Sequence, residues 1–369
     1  MSERIVADHR RVLREGLPLI DLRAPVEFAL GAFPGAINLP LLTDAERTAV
    51  GTRFKQCGQQ AAIKLGEELV AGDVRRERID AWRAALAANP GALIYCWRGG
   101  LRSQIVQEWL QQHGVDVARV EGGYKALRRT CLQIIEEFCA SARLLVIAGR
   151  TGSGKSELLR EFRAIIDLER LVNHRGSAFG AAFSAQPTPI GFENELAIEM
   201  LRKQPHRCLL IEDESRTIGR LALPEPLIAA MQTAPLVVIE AGRDERIRRI
   251  YREYVLEPLA SGVTMEALRV RFVDAVDRIR RRLGGLRHAE IRRTIEAAFA
   301  VDSTRSALHE AWIGALLDDY YDPMYDHQLT SKRSRVVATG DVRTIRAFIR
   351  DELGSDPPTL TPSRVRTGL

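Results

Sequence analysis

The sequence predicts an α/β protein with two parallel-sheet domains in series and a helical C-terminal extension. Three observations carry this. An apolar run, Leu93-Ile94-Tyr95, ends at Cys96 and passes through two glycines into a helical pattern from Ser103 to His113. A second run, Leu144 to Ala148, passes through a glycine-rich turn into a helical pattern over Glu157 to Asp167. From Arg243 to about Asp319 apolar residues recur at helical spacing. Strand–turn–helix units of this kind build parallel sheets, whose neighbours need a crossover.

The elements follow in order. Residues 1–138 form the first domain, interrupted by a helical insertion at about 44–89. That insertion holds Gly51-Thr52-Arg53-Phe54-Lys55-Gln56-Cys57-Gly58 and two amphipathic stretches. Ala126 to Ser141 reads as one helix leading straight into the strand at Leu144, with no Gly/Ser/Pro linker, so rigid packing of the domains is expected. The second domain spans 139–245, with strands at Cys208–Glu214 and Leu236–Glu240. Gly and Pro density over His174 to Pro189 predicts a substrate loop. A helical region covers 246–353. The Pro/Ser/Thr/Arg-rich tail, 354–369, is expected to be disordered.

Cys96 ends its strand before Trp97-Arg98-Gly99-Gly100-Leu101-Arg102-Ser103. Loop N–H groups and a helix N-terminus would point at the sulfur, with Arg98 and Arg102 beside it. That setting favours a thiolate and welcomes an anion. The other cysteines (Cys57, Cys131, Cys139, Cys208) are scattered and show no metal-type pairing, which argues against a disulfide framework or zinc site.

Gly149-Arg150-Thr151-Gly152-Ser153-Gly154-Lys155-Ser156 fits the phosphate-loop pattern in full. Gly149, Thr151, Gly152, Ser153 and Gly154 would wrap phosphate oxygens with backbone N–H groups, and Lys155 adds a point charge. Ser156 can ligate magnesium. Cys208 to Glu214 ends in carboxylates, which makes Asp213 the candidate second magnesium ligand.

The formal charge is +6, which alone says little about nucleic acid. Its distribution says more. Arg278, Arg280, Arg281, Arg282 and Arg287 crowd one stretch and are the candidate RNA contacts, helped by Tyr320 or Tyr325. Arg243, Arg246, Arg248, Arg249 and Arg252 form a second cluster. Arginine is also the default cation here, with 48 arginines against 6 lysines, so exposed helix faces would look the same. No apolar run is long enough for a membrane span, and the N-terminus lacks an apolar signal core, so a cytoplasmic enzyme is expected.

Leu19 to Phe28, Gly31 to Pro40 and Val120 to Tyr124 flank Cys96 as in a rhodanese domain, and the first third of the chain resembles that family. The loop from Cys96 to Arg102 is one residue wider than the commoner rhodanese loop, which suits a larger anion or chalcogen. Adding the phosphate loop, Gly51 to Gly58, His174 to Gly180 and Tyr320-Tyr321-Asp322-Pro323-Met324-Tyr325, nearly the whole chain resembles bacterial tRNA 2-selenouridine synthases.

The resemblance implies a transferase that acts on 2-thiouridine at the tRNA wobble position. It implies geranyl diphosphate and selenophosphate as co-substrates, S-geranylation first, and selenium transfer through a Cys96 perselenide. Selenophosphate synthetase is an implied partner. Whether the phosphate loop holds geranyl diphosphate or ATP stays open. Phe179, Phe183 and Phe192 are candidates to line a geranyl pocket. The competing readings are a phosphate-loop kinase or NTPase with a regulatory rhodanese domain, and a non-catalytic RNA-binding protein.

Overall fold

The computed structural model describes residues 5–204, 208–300 and 306–354; most of the tail expected to be disordered lies outside them. Two five-stranded sheets organise the chain. The first comprises β1 (Ile5–Val6), β2 (Leu19–Asp21), β3 (Ile37–Asn38), β4 (Leu93–Tyr95) and β5 (Ala118–Val120), in the order β1-β5-β4-β2-β3. The second comprises β6 (Leu144–Gly149), β7 (Ile165–Ile166), β8 (Leu209–Glu212), β11 (Leu236–Ile239) and β12 (Val336–Gly340), in the order β12-β11-β6-β8-β7. Every pairing in both is parallel. A small antiparallel ribbon, β9 (Thr217–Ile218) with β10 (Leu221–Ala222), follows β8.

β4 and β6 are central and buried at every position, so they read as unbroken apolar runs. β8 lies directly beside β6, with Ile147 opposite Glu212. The carboxylates that end β8 are thereby brought next to the glycine-rich turn after Gly149.

Three elements differ from the sequence expectation. The helix after the phosphate loop spans only Lys155–Leu159, because Ile165-Ile166 leaves to form β7. Val336 to Gly340, placed in a helical region, is an edge strand that completes the second sheet; its alternating half-buried residues suit that position. The second domain therefore draws on both sides of residue 245. The arginine-rich stretch is not one helix: Met265–Arg278, Arg280–Leu283 and Gly285–Ala300 are separate, broken at Ile279 and Gly284.

The helix Gly123–Ser141 joins the domains without a linker. Leu127, Cys131, Ile134, Ile135 and Phe138 are buried in one apolar cluster with residues of both sheets, including Tyr95 and Val146. The same cluster takes Phe192, fully buried on the helix Pro189–Lys203. Arg128 pairs with Glu193 and donates to Asn194 Oδ1 at 3.0 Å, and Asn194 donates to the Ala32 carbonyl at 3.1 Å. Those residues lie about one turn into their helices, so the two helices start at the same end. Pro189–Lys203 precedes β8 by a short connection and runs opposite to it. The start of Gly123–Ser141 thus sits at the end of the sheet where β6 and β8 finish. Both loops, after β4 and after β6, open on that side.

A shared core predicts a single cooperative unfolding transition. Phe192→Ala should keep it single and lower stability by about 3–5 kcal/mol in chemical denaturation. Separate transitions for the two sheets would contradict a continuous core.

Candidate functional site: a thiol loop and a phosphate loop

Cys96 is 3 % exposed and forms the floor of its loop. Its Sγ lies 3.4 Å from Ser103 Oγ and 3.9 Å from the Gly100 carbonyl, and Ser103 in turn donates to Gly100 at 2.9 Å. The loop is closed against the start of Gly123–Ser141: Tyr124 N–H donates to the Cys96 carbonyl at 2.8 Å and Lys125 N–H to Trp97 at 3.0 Å. Gly123 sits at φ 57°, and a Cβ there would lie 2.3 Å from the Cys96 carbonyl oxygen, so no side chain fits. Arg119 ties down the Gly99 carbonyl at 2.8 Å.

Beneath the loop, Arg23 forms a buried pair with Asp21 (2.6 Å) and lies 3.7 Å from the centre of the Tyr124 ring. Tyr95 donates to Asp21 at 2.7 Å; burial and the Asp21 charge push its phenol well above the ordinary range, so it stays a donor. Trp97 stacks on Tyr124 at 5.3 Å with one face left exposed. Arg98 is exposed at the mouth. Arg102 is engaged by Glu27 at 2.8 Å, a partner the local motif does not reveal. Burial opposes charge on Glu27, yet Arg102 and Arg47 hold its carboxyl below the usual range.

Burial pushes Cys131 up to about 12 and Cys139 up to about 11, and raises Cys208 as well. Cys57 is exposed on the insertion.

The phosphate loop lines a cleft of about 1200 Å³. Lys155 lies across it, donating to the Gly149 carbonyl at 2.7 Å. Ser156 donates to Glu169 at 3.0 Å. Half-buried Glu169 lies beside buried Glu212, to which its N–H donates at 3.1 Å; burial raises both carboxyls, and the Glu169 charge raises Glu212 further. Glu214 is pushed up to about 7 by burial and by Glu169. Asp213 is held by Lys332 at 2.7 Å, and the acid hydrogen-bonded to Ser156 is Glu169. Glu169 lies at the start of a short helix after β7 and carried no motif signal.

Arginines brace this loop from behind. Arg246, 2 % exposed, donates to the Thr151 carbonyl at 2.8 Å and forms a two-pronged pair with Asp322 at 2.6 and 2.8 Å. Arg249 donates to the Gly152 carbonyl at 2.8 Å, and Arg150 pairs with Asp326 at 2.7 Å. Arg243 pairs with Asp318, and Arg252 faces Glu157 and Glu257. Four arginines of the 243–252 cluster are thus engaged in the fold rather than set aside for RNA. Asp322, within the Tyr320–Tyr325 motif, is what that motif contributes.

The candidate RNA residues are divided. Arg278 donates to the Ala178 carbonyl and Arg282 to the Tyr320 hydroxyl, while Arg287 pairs with Glu290 and Asp319. Arg280 and Arg281 are exposed and have no such partner among the described residues. Tyr320 is 7 % exposed, which makes it a packing residue rather than a stacking platform. Tyr325 is half-buried and lines the cleft.

Of the three phenylalanines, Phe192 is core. Phe183 is exposed beneath Arg271, whose guanidinium lies 4.6 Å from its ring centre. Phe179 joins Tyr254, Phe272, Trp312, Leu316 and Tyr321 around a narrow apolar cavity that reaches Thr151 of the phosphate loop.

Arg246→Ala should cost about 3 kcal/mol, because it strands a carboxylate and frees the loop carbonyl. Arg243→Ala, at an exposed pair, should cost under about 1 kcal/mol. Chemical denaturation of both variants checks the difference; equal losses would contradict the bracing role.

Residues 6–130 match the family described as rhodanese-like domain, and residues 142–355 match the tRNA 2-selenouridine synthase AAA domain. A tRNA 2-selenouridine synthase of Shewanella denitrificans is 48 % identical over 347 residues, covering 91 % of this chain and 94 % of the relative. That of Shewanella oneidensis is 45 % identical over 359 residues (94 % and 95 %), and that of Hahella chejuensis 46 % over 352 residues (92 % and 93 %). No helix among the described residues is long and apolar enough to cross a membrane. With a thiol loop and a glycine-rich phosphate-loop motif on one core and relatives of this identity along nearly its whole length, the chain belongs to the tRNA 2-selenouridine synthase family of tRNA-modifying enzymes.

Proposed function

We propose that this enzyme converts 2-thiouridine at the tRNA wobble position to 2-selenouridine in two steps, one at each loop. The observation that carries the reading is the placement of a thiol loop and a phosphate loop at one end of a single core.

In the first step the phosphate loop binds the diphosphate of geranyl diphosphate rather than ATP. The uridine sulfur attacks the carbon bearing the diphosphate, the C–O bond breaks and diphosphate leaves. Lys155 and the loop N–H groups stabilise its growing charge. The apolar cavity beside Thr151 supports this reading, since it offers aromatic walls to a hydrocarbon tail. The cavity measures about 20 Å³, much less than a ten-carbon tail fills, so binding a tail there requires the lining side chains to move apart. Among the described residues no three His, Cys, Asp or Glu form a metal cage. Magnesium is held largely by substrate oxygens and water. Ser156 and Glu169 would hold it, and it would neutralise the leaving diphosphate.

In the second step water attacks the phosphorus of selenophosphate, the P–Se bond breaks, and phosphate and selenide form. The selenide displaces a small-molecule thiol from a mixed disulfide on Cys96 and leaves a perselenide there. Its selenium adds to C2 of the base and the geranyl thiol departs. Alkylation matters here because a thiol leaves more readily than a bare sulfide. A small-molecule thiol then attacks the Cys96 sulfur, the S–Se bond breaks with its electron pair going to selenium, and the mixed disulfide on Cys96 is restored for the next turnover. Arg98 at the loop mouth is free to meet the anion, with Arg102 set behind it by Glu27. Selenophosphate synthetase is the supplier this chemistry calls for, and the reducing cytoplasm is the compartment that suits the thiol.

Two variants separate the steps. Cys96→Ser should geranylate normally and accumulate S-geranyl-2-thiouridine, with selenium incorporation falling to background in nucleoside mass spectrometry. Normal 2-selenouridine formation would remove Cys96 as the carrier. Lys155→Ala should slow geranylation by about a hundredfold while tRNA already carrying the S-geranyl group is still selenated. Unimpaired geranylation in that variant would assign the phosphate loop to another ligand.

A further inference from the structure

The insertion in the first domain takes no part in either loop, yet it carries a sequence motif. The chain from Asp44 to Leu69 is a helix broken at Gly58 (φ 81°, ψ −176°), a conformation that only glycine adopts readily. After the break the chain folds back, so that a Cβ placed on Gly66 would lie 3.9 Å from Val50 Cγ2. The result is a helical hairpin whose tip is residues 51–60, every one of them exposed. Its base is fixed beside the thiol loop. Arg47 pairs with Glu27 at 3.2 Å, Glu27 holds Arg102, and Val50 and Leu69 pack against the cluster that includes Cys96. At 1.5 Å per residue the first arm reaches about 16 Å from Arg47 to the break.

The tip has an unusual composition. Arg47 to Gly66 contains four basic residues (Arg47, Arg53, Lys55 and Lys64) and no Asp or Glu, in a chain otherwise close to charge balance. Phe54 is 55 % exposed between Arg53 and Lys55, and Gln56, Gln59 and Gln60 surround them. A large apolar ring held in water has no folding rationale here, since it joins none of the buried clusters. Cations, amides and an unpartnered aromatic together suit a phosphate backbone with accessible bases. A protein surface would be expected to meet a hydrophobic patch larger than one ring.

We propose that this hairpin is a tRNA-binding arm, gripping the substrate about 10 Å beyond the base that packs beside the thiol loop while the wobble base lies at Cys96. Arg53 and Lys55 contact phosphates and Phe54 stacks on a base. This rests on the reading that the substrate is tRNA, and it assigns the grip to residues other than Arg278, Arg282 and Arg287, which the fold already engages.

The test is tRNA binding by the full chain, followed by fluorescence anisotropy across a salt series, for Arg53→Ala with Lys55→Ala, for Phe54→Ala, and for all three together. The double variant should flatten log affinity against log salt by about 1.5 units. Phe54→Ala should weaken binding by on the order of tenfold with the slope unchanged. Thermal melting should be unaltered, because all three side chains are exposed. A triple variant that is folded and binds tRNA with unchanged affinity and slope overturns the proposal and points to a protein partner for the arm. A wild-type chain with no measurable tRNA affinity would instead bring down the tRNA reading on which it rests.

Discussion

The packing of one helix, Gly123–Ser141, is the constraint on which the rest of the structure depends. Its first turn is hydrogen-bonded to the loop that holds Cys96. Its length is buried in an apolar cluster with both sheets, and its C-terminal end runs within two residues into the strand that carries the phosphate loop. A flexible linker at that point would leave two independent domains. A buried helix leaves one body in which the position of one loop determines that of the other. Burial of many apolar side chains makes such a joint stiff, because interiors are close-packed.

Rigidity of the frame is matched by rigidity of the loops. Each is held from behind by a buried arginine: Arg23 with Asp21 beneath the thiol loop, Arg246 with Asp322 beneath the phosphate loop. A guanidinium suits this task because its planar fork satisfies a carboxylate and a neighbouring ring or carbonyl at once. Much of the positive charge in this chain therefore serves internal structure. The formal excess of +6 is a poor guide to where an anionic polymer would lie; the arginines that remain unpaired at the surface are a better one.

The parts of the site legible in the sequence were those encoded locally. Cys96 with its glycines, and the glycine-rich turn after β6, are contiguous segments whose residue types dictate their backbone. The strands β4, β6, β8 and β11 were visible because buried parallel strands are unbroken apolar runs. What escaped was non-local. Nothing near Arg102 marks Glu27 as its partner, and nothing near Asp213 marks Lys332. Glu169 reaches Ser156 only because β7 pairs beside β8. The edge strand β12 was hidden by the helices around it and by its half-polar pattern. Arg246 and Arg249 looked like surface charge because their targets are backbone carbonyls, which leave no signature in composition.

If both loops open on one side of a single body, one tRNA can be alkylated and selenated without leaving. The direct measurement is a single-turnover chase. Labelled 2-thiouridine tRNA is bound to the enzyme with geranyl diphosphate and selenophosphate, and excess unlabelled S-geranylated tRNA is added as the reaction starts. The account predicts that the labelled nucleotide proceeds to 2-selenouridine with little labelled S-geranyl-2-thiouridine released. Accumulation of labelled intermediate in solution, with selenium appearing mainly in the unlabelled tRNA, would contradict it.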